Sequence, residues 1–244
     1  MNYVIAIPSY DRVEMLQNKT LSYLEKQNIN KDNIYIFVAN EEEYLKYQYI
    51  NYNIIIGELG LFNQRNFISN YFNEGQYIIS IDDDVDDIKQ KVSDEMKSIG
   101  LEHFIKVSYE KLQQYNLYLW GVNMISNPYF AYKKESIDLR FTTSTFFGYI
   151  NRKEMIQTKY VESIGDDIVR TLLYYIHDKG VLRFNDIILD TKFYNKGGLQ
   201  SIMSKDNRNI ELKNLIKRLV EDFPQYIKKK ESNKGYMLIR KKII

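Results

Sequence analysis

YIISIDDDVDDI, residues 77–88, decides how the rest of the chain reads. Tyr77, Ile78, Ile79 and Ile81 make a short β-branched and aromatic run suited to a buried strand. The run breaks at Asp82, Asp83 and Asp84, with Asp86 and Asp87 close behind. A buried strand thus carries carboxylates to its own C-terminal end, where open α/β sheets bind ligands. Anions so close repel one another unless a cation or a raised pKa relieves them, and a divalent metal is the simplest relief. Alternation along an extended backbone sets Asp82 and Asp84 on one side, as the metal candidates, and Asp83 on the other. An acidic surface turn is the plainer alternative. An EF-hand loop fails on spacing, since Asp87 stands where its glycine belongs and Ser93 where its closing glutamate belongs.

The sequence before this stretch alternates strands and helices. VIAI near the N-terminus reads as a first buried strand. Pro8, Ser9, Tyr10, Asp11 and Arg12 form a polar loop, and Val13, Leu16, Thr20, Leu21 and Leu24 recur at helical spacing up to Gln27. Backbone N–H groups at that helix start, with Ser9, Tyr10 and Arg12, offer a place for phosphate or a base; a plain N-cap explains the same residues. IYIFVA, residues 34–39, is a second strand ending at Asn40, and residues 54–56 a short third. Residues 61–72 form a helix with Leu61, Ile68 and Phe72 on its apolar side, and it carries Asn63-Gln64-Arg65-Asn66. This alternation predicts an α/β fold, one domain over residues 1–225 with a mostly parallel, Rossmann-like sheet flanked by helices.

Composition narrows the setting. The chain has 244 residues, no cysteine and three prolines, so disulfides and cysteine-based zinc sites are excluded and no linker divides it. Its apolar runs are far shorter than a membrane span, and the expected location is the cytoplasm, or a host's cytoplasm for a viral protein. Abundant Tyr, Asn, Ile and Lys suit AT-rich coding, as in many viruses and low-GC bacteria. The formal charge of +2 is uneven: residues 228–244 hold seven basic side chains and one acidic, leaving a net −4 before them. Residues 226–244 read as a basic hairpin or tail able to meet a polyanion. Nothing in the sequence gives an oligomeric state.

Residues 91–116 read as a helix, followed by a strand that brings Trp120 and Asn123 to its end. Residues 140–150 read as another strand, with Gly148 permitting close backbone approach. Ser163 with Asp166 makes a capping box ahead of an amphipathic helix, which explains Asp166 and leaves Asp167 without a structural duty. Lys196, Gly197 and Gly198 combine an ammonium with flexible backbone that can approach a diphosphate; a flexible turn is the alternative.

IAIPSYDR, GLFNQRNF and the strand ending in Asp82-Asp83-Asp84 resemble the nucleotide-sugar half of GT-A glycosyltransferases, with a family-2-like pattern. The resemblance implies a nucleotide-sugar donor, UDP-linked by preference, and Mn²⁺ or Mg²⁺ held by Asp84 with Asp82 or Asp83 close by. It also implies Pro8, Asn40 and Arg65 around the nucleoside, although that family usually has a carboxylate at Asn40. Gly165-Asp166-Asp167 resembles the stretch supplying the general base of inverting members, which makes Asp167 the base and Asp166 its orienting neighbour. Across residues 5–200, the order IPSYDR, DDDVDD, WGVN, FFGY, GDD and KGGLQ is similar to the small DNA-base glycosyltransferases associated with TET/JBP-type hydroxylases. That likeness implies hexosyl or pentosyl transfer to a 5-hydroxymethylpyrimidine in DNA, with Trp120, Asn123 and the basic tail on the acceptor side. Three readings compete with it. One is a transferase acting on a polysaccharide or protein glycan. Another is a haloacid-dehalogenase-like phosphatase, using Asp82-Asp83-Asp84-Val85, Thr142 to Thr145 and Gly165-Asp166-Asp167. The third is a non-catalytic nucleic-acid-binding module.

Overall fold

The computed structural model describes residues 1–123, 127–132, 135–156, 159–160, 164–191, 197–229 and 236–238. β1 (Tyr3–Pro8) leads through a turn into one helical run, in which α1 (Val13–Leu16) and α2 (Ser22–Lys26) flank a π-helical segment, Gln17–Leu21. β2 (Ile34–Val38), α3 (Glu41–Tyr47), β3 (Asn53–Ile56), α4 (Leu61–Tyr71) and β4 (Tyr77–Ile81) follow. β1 to β4 are parallel, with Ile5 opposite both Ile34 and Ile79.

Past the aspartates the chain departs from the expected helix over residues 91–116. β5 (Val85–Val92) and β6 (Glu95–Ser98) pair as a hairpin, and the helix α5 (Leu101–Tyr115) begins only afterwards. β7 (Leu119–Val122), the two-residue β8 (Glu135–Ser136) and β9 (Phe146–Ile150) come next. The strand expected over residues 140–150 thus covers only its second half. α6 (Asp166–Asp178), β10 (Leu182–Phe184), β11 (Ile187–Thr191), α7 (Leu199–Ile202), α8 (Lys205–Asp222), β12 (Ile227–Lys229) and β13 (Tyr236–Leu238) complete the described chain.

The central sheet has eight strands in the order β3-β2-β1-β4-β9-β7-β10-β8, with β9 and β8 antiparallel to the rest. Strand alternation divides the core between its two faces. Ile5 and Ile7 pack with Leu16, Leu24, Tyr109 and Trp120 on one side; Val4 and Ala6 pack with Phe62, Ile68, Val169 and Leu172 on the other. Because β1, β4, β7 and β10 run the same way, their C-terminal ends share one edge. The small antiparallel sheet β11-β5-β6 begins at that edge.

The basic C-terminus is tied to this body. β12 pairs antiparallel with β13, and Ile227 is wholly buried with the α6 and α8 side chains. The rest of the predicted hairpin, residues 230–235 and 239–244, lies outside the described residues.

Candidate active site

β4 ends at Ile81, so Asp82, Asp83 and Asp84 lie in a turn rather than on an extended backbone, and period-two alternation does not sort them. Asp83 is buried: its Oδ2 accepts from Ser9 Oγ (2.7 Å) and its Oδ1 from Arg12 Nη1 (2.9 Å). Ser9 spends its one hydrogen on Asp83, so Tyr47 donates to Ser9 Oγ (2.8 Å). Asp84 lies 3.5 Å from the same Arg12 nitrogen, and Thr191 Oγ1 donates to its backbone oxygen (3.0 Å) and its Oδ1 (3.2 Å). Asp82 faces the opposite way, toward Arg65. The expected pairing of Asp82 with Asp84 is replaced by Asp83 with Asp84 around Arg12.

The turn itself is clamped by Thr20, which donates to Asp82 O (2.8 Å) and accepts from Val85 N (3.0 Å). Thr20 lies in the π-helical segment, a distortion often found beside functional sites.

Arg65, projecting from α4, joins two carboxylate groups. Its Nη2 lies 3.3 Å from Asp82 Oδ1 and donates to Ser144 O (2.9 Å), its Nη1 donates to Ser80 Oγ, and its Nε lies 3.0 Å from Asp166 Oδ2. Asp166 also takes Arg170 Nη1 at 2.8 Å, one helical turn on. The N-cap of α6 is Gly165, without a side chain, and Ser163 lies outside the described residues. Asp166 is therefore the hub between two arginines rather than a cap. Both guanidinium groups lie against the Phe147 ring, Arg65 at 4.8 Å and Arg170 at 3.5 Å.

Asp167 is half-buried, and its Oδ1 accepts the Ile168 N–H (2.8 Å). Burial, then the Asp166 charge, raise its pKa to about 7 against the pull of Arg170 and Arg65. Asp82 is likewise raised to about 7 by burial, with Arg65 opposing and Asp84, Asp83 and Asp166 adding to the rise. Asp83 is raised for the same first reason, with Arg12 opposing.

Between β1, the start of α4 and this turn runs an open cleft lined by Pro8, Ser9, Tyr10, Arg12, Asp82, Asp83 and Gly198, with Ala39, Glu58 and Gln64. Asn40 is not in its wall: its side chain accepts from Glu43 N (2.9 Å) and caps α3, leaving Ala39 to face the cleft. Arg65 lines a separate apolar pocket between α4 and α6, because its guanidinium is drawn to Asp166. Gly197 and Gly198 take positive φ, 86° and 59°, and pack on Arg12, which donates to Gly197 O (3.2 Å). A Cβ on Gly197 would come within 2.7 Å of Arg12 Cγ. Lys196 lies outside the described residues.

Two residues expected at the acceptor side are structural. Trp120 is 0% exposed, ringed by Phe104, Tyr109, Phe146 and Phe184, with Gly148 leaving room for its indole. A side chain enclosed in this way has no face to offer an acceptor. Asn123 is buried and bonded to Phe130 O (3.2 Å), Asn185 O (3.2 Å) and Arg183 Nη2 (3.0 Å).

The donor set fits a hard divalent cation. Among the described residues Arg12, Arg65 and Arg170 face Asp82, Asp83, Asp84, Asp166 and Asp167, leaving two negative charges in excess once all five carboxyls are ionised. Carboxylate oxygens are what Mg²⁺ and Mn²⁺ take. Among the described residues no three His, Cys, Asp or Glu side chains are grouped so as to hold a metal ion by themselves.

No protein-family model and no curated protein matches the sequence. The structure is similar to residues 1–349 of S. aureus TarS, with a TM-score of 0.53 and 12% identity over 90% of this chain and 66% of that one. It is similar also to the mannosyltransferase PcManGT from Pyrobaculum calidifontis, solved with GDP-Man and Mn²⁺, with a TM-score of 0.55 and 12% identity over 91% and 64% of the two chains. The fold is GT-A. The chain spans about two thirds of the length of each of these proteins. In the GT-A sheet the aspartates close β4, whereas a dehalogenase-type nucleophile would close the first strand, which here ends at Pro8. Among the described residues no helix is long and apolar enough to cross a membrane.

Four residues escaped the sequence reading. Arg170 had a local signal, its i,i+4 spacing from Asp166. Thr20 and Thr191 reach the aspartate turn across 62 and 107 residues, Tyr47 reaches Ser9 across 38, and none of the three had such a signal.

Proposed function

We propose that this chain transfers a sugar, a hexose or a pentose, from a nucleotide sugar to a hydroxyl group by single displacement with inversion. It does so with a divalent cation, and the acceptor is the hydroxymethyl group of a 5-hydroxymethylpyrimidine in DNA. The observation that carries this reading is Arg65. One guanidinium touches Asp82 in the strand-end cluster and Asp166 beside Asp167, so the two carboxylate centres that inverting transfer needs are held together. The GT-A fold supports it, and the Mn²⁺ in the PcManGT complex supports the choice of metal.

Asp84, with Asp83 beside it at Arg12, would hold Mn²⁺ or Mg²⁺, which when bound would offset the charge of the departing diphosphate. Pro8, Ser9, Tyr10 and the Gly198 backbone offer the nucleotide a wall of the cleft, and Arg12 adds positive charge there while keeping Asp83 in place. Asp167 takes the proton of the attacking hydroxyl, and a pKa near 7 suits a general base working at neutral pH. Asp166, pinned by Arg65 and Arg170, fixes the first turn of α6 and with it the direction of Asp167. UDP-sugars are the first donors to try, and GDP-sugars the second. Lys228 and Lys229, exposed on β12, add positive charge toward a DNA acceptor.

Two variants separate these roles. Asp84→Ala removes Mn²⁺-dependent donor binding in calorimetry. Asp167→Asn keeps donor binding and loses transfer, and proton NMR of the wild-type product reads the anomeric inversion. Wild-type turnover in either variant would remove the assigned role.

A further inference from the structure

Three aromatic rings stand in solvent within four residues: Tyr129 is 82% exposed, Phe130 50% and Tyr132 40%. Apolar area this dense on a surface marks a contact site. The backbone beneath it is fixed. Pro128 opens a 3₁₀ turn, Pro128–Phe130, whose cap is Asn127 accepting from Tyr129 N (3.0 Å). Asn123 donates to Phe130 O (3.2 Å), Tyr132 N donates to Asn185 O (3.4 Å), and Ala131 is buried between them. Rings presented on a preordered base lose little entropy when a ligand stacks on them.

The charge beside the rings points to the ligand. Lys91 of β5 donates to Pro128 O at 3.4 Å, and among the described residues no carboxylate lies within ion-pair distance of its ammonium. Of the carboxylates nearby, Asp190 is paired with Lys89 (2.7 Å), and Asp186 accepts from the Gln90 amide (2.9 Å). Aromatic faces beside an ammonium that no carboxylate pairs match the bases and phosphates of a nucleic-acid strand, whereas a neutral glycan would use the rings alone.

Position fixes which part of the strand is held. β11 starts two residues after Asn185, which anchors Tyr132, and ends at Thr191, which holds Asp84. Ile187 to Thr191 spans on the order of 13 Å at a strand's rise and the turn at Asn185 adds to it, so the rings stand beyond the reacting base, on the side of its neighbours in the strand. We propose that segment 127–132 is a stacking platform for single-stranded DNA, gripping nucleotides that flank the one modified. This inference rests on the reading of the site as a DNA glycosyltransferase.

The test is fluorescence anisotropy with a labelled single-stranded oligodeoxynucleotide. The double variant Tyr129→Ala/Phe130→Ala should bind about tenfold or more weakly, the order of a lost base–aromatic stack, with its thermal melt unchanged. Tyr129→Phe should bind as the wild type does, and Lys91→Gln should reduce the salt slope by about 0.7, one phosphate contact. Equal affinity in the double variant, or no binding by the wild type, would overturn the platform. So would neutral oligosaccharides that compete with DNA in the wild type and no longer bind the double variant. Wild-type nucleotide-sugar hydrolysis, measured alongside, keeps the two readings apart. If it is present without DNA binding, the platform alone fails; if it is absent while binding still depends on Tyr129 and Phe130, the transferase reading alone fails.

Discussion

Asp167 sits half-buried at the first turn of α6 with its pKa lifted to about 7, and both its chemistry and its cost follow from that. As a base it works only when ionised, so kcat/KM should fall as pH drops through about 7, and Asp167→Asn should lower transfer by about 10² to 10⁴-fold and erase that limb. The same shift acts on stability. A carboxyl whose folded pKa lies above its unfolded value binds more protons when folded, so its effect is most favourable below the unfolded pKa and is lost as pH rises toward 7. Asp167→Asn should therefore melt at a higher temperature than the wild type at pH 8 while being inactive, a trade of stability for function. A lower melting temperature there would contradict the assignment. At this scale the sequence was informative where a residue's surroundings are its chain neighbours. Asp82 to Asp84 stood out because an apolar run ended in them, and Asp166 with Arg170 is a helical-spacing pair. Arg65 could be placed near the aspartates but not at Asp166, because its orientation depends on a helix a hundred residues away.

Among the elements, β4 and β9 show how a strand can be fixed by what it lacks. Gly148 of β9 lies under the Trp120 indole, and a Cβ there would come within 2.4 Å of the ring. Gly148→Ala should destabilise the protein by about 1–3 kcal/mol in urea denaturation through overpacking. An unchanged midpoint would mean the ring moves freely, against its burial. The sequence shows β1, β2 and β4 well because each is an apolar run buried on both faces. Residues 85–98 mislead because VDDIKQKVSDEMKS has neither a clear helical nor a clear strand period. Their state is decided by pairing β5 with β11, about a hundred residues on. The π-helical segment was likewise invisible: the spacing of Leu16, Thr20 and Leu24 reads as an ordinary helix, and only the Thr20 bonds to Asp82 and Val85 show why the turn widens.

Over the whole molecule, the charge divides into a body with net −4 and a C-terminal stretch with +6. Ile227 belongs to the core, so a truncation that probes the charge must fall after Lys229. Removal of residues 230–244 should flatten the salt dependence of DNA binding, since each lost phosphate contact takes about 0.7–0.9 from the slope. A salt slope identical to the full chain's would assign the basic stretch to solubility alone. The most direct measurement for the account as a whole is to incubate the protein with Mn²⁺, a panel of UDP- and GDP-sugars, and DNA containing 5-hydroxymethylcytosine or 5-hydroxymethyluracil, then digest the DNA and weigh its nucleosides by mass spectrometry. A hexose or pentose increment on the hydroxymethyl base is expected, lost on chelation and in Asp167→Asn. Intact nucleosides together with undiminished nucleotide sugars would contradict it.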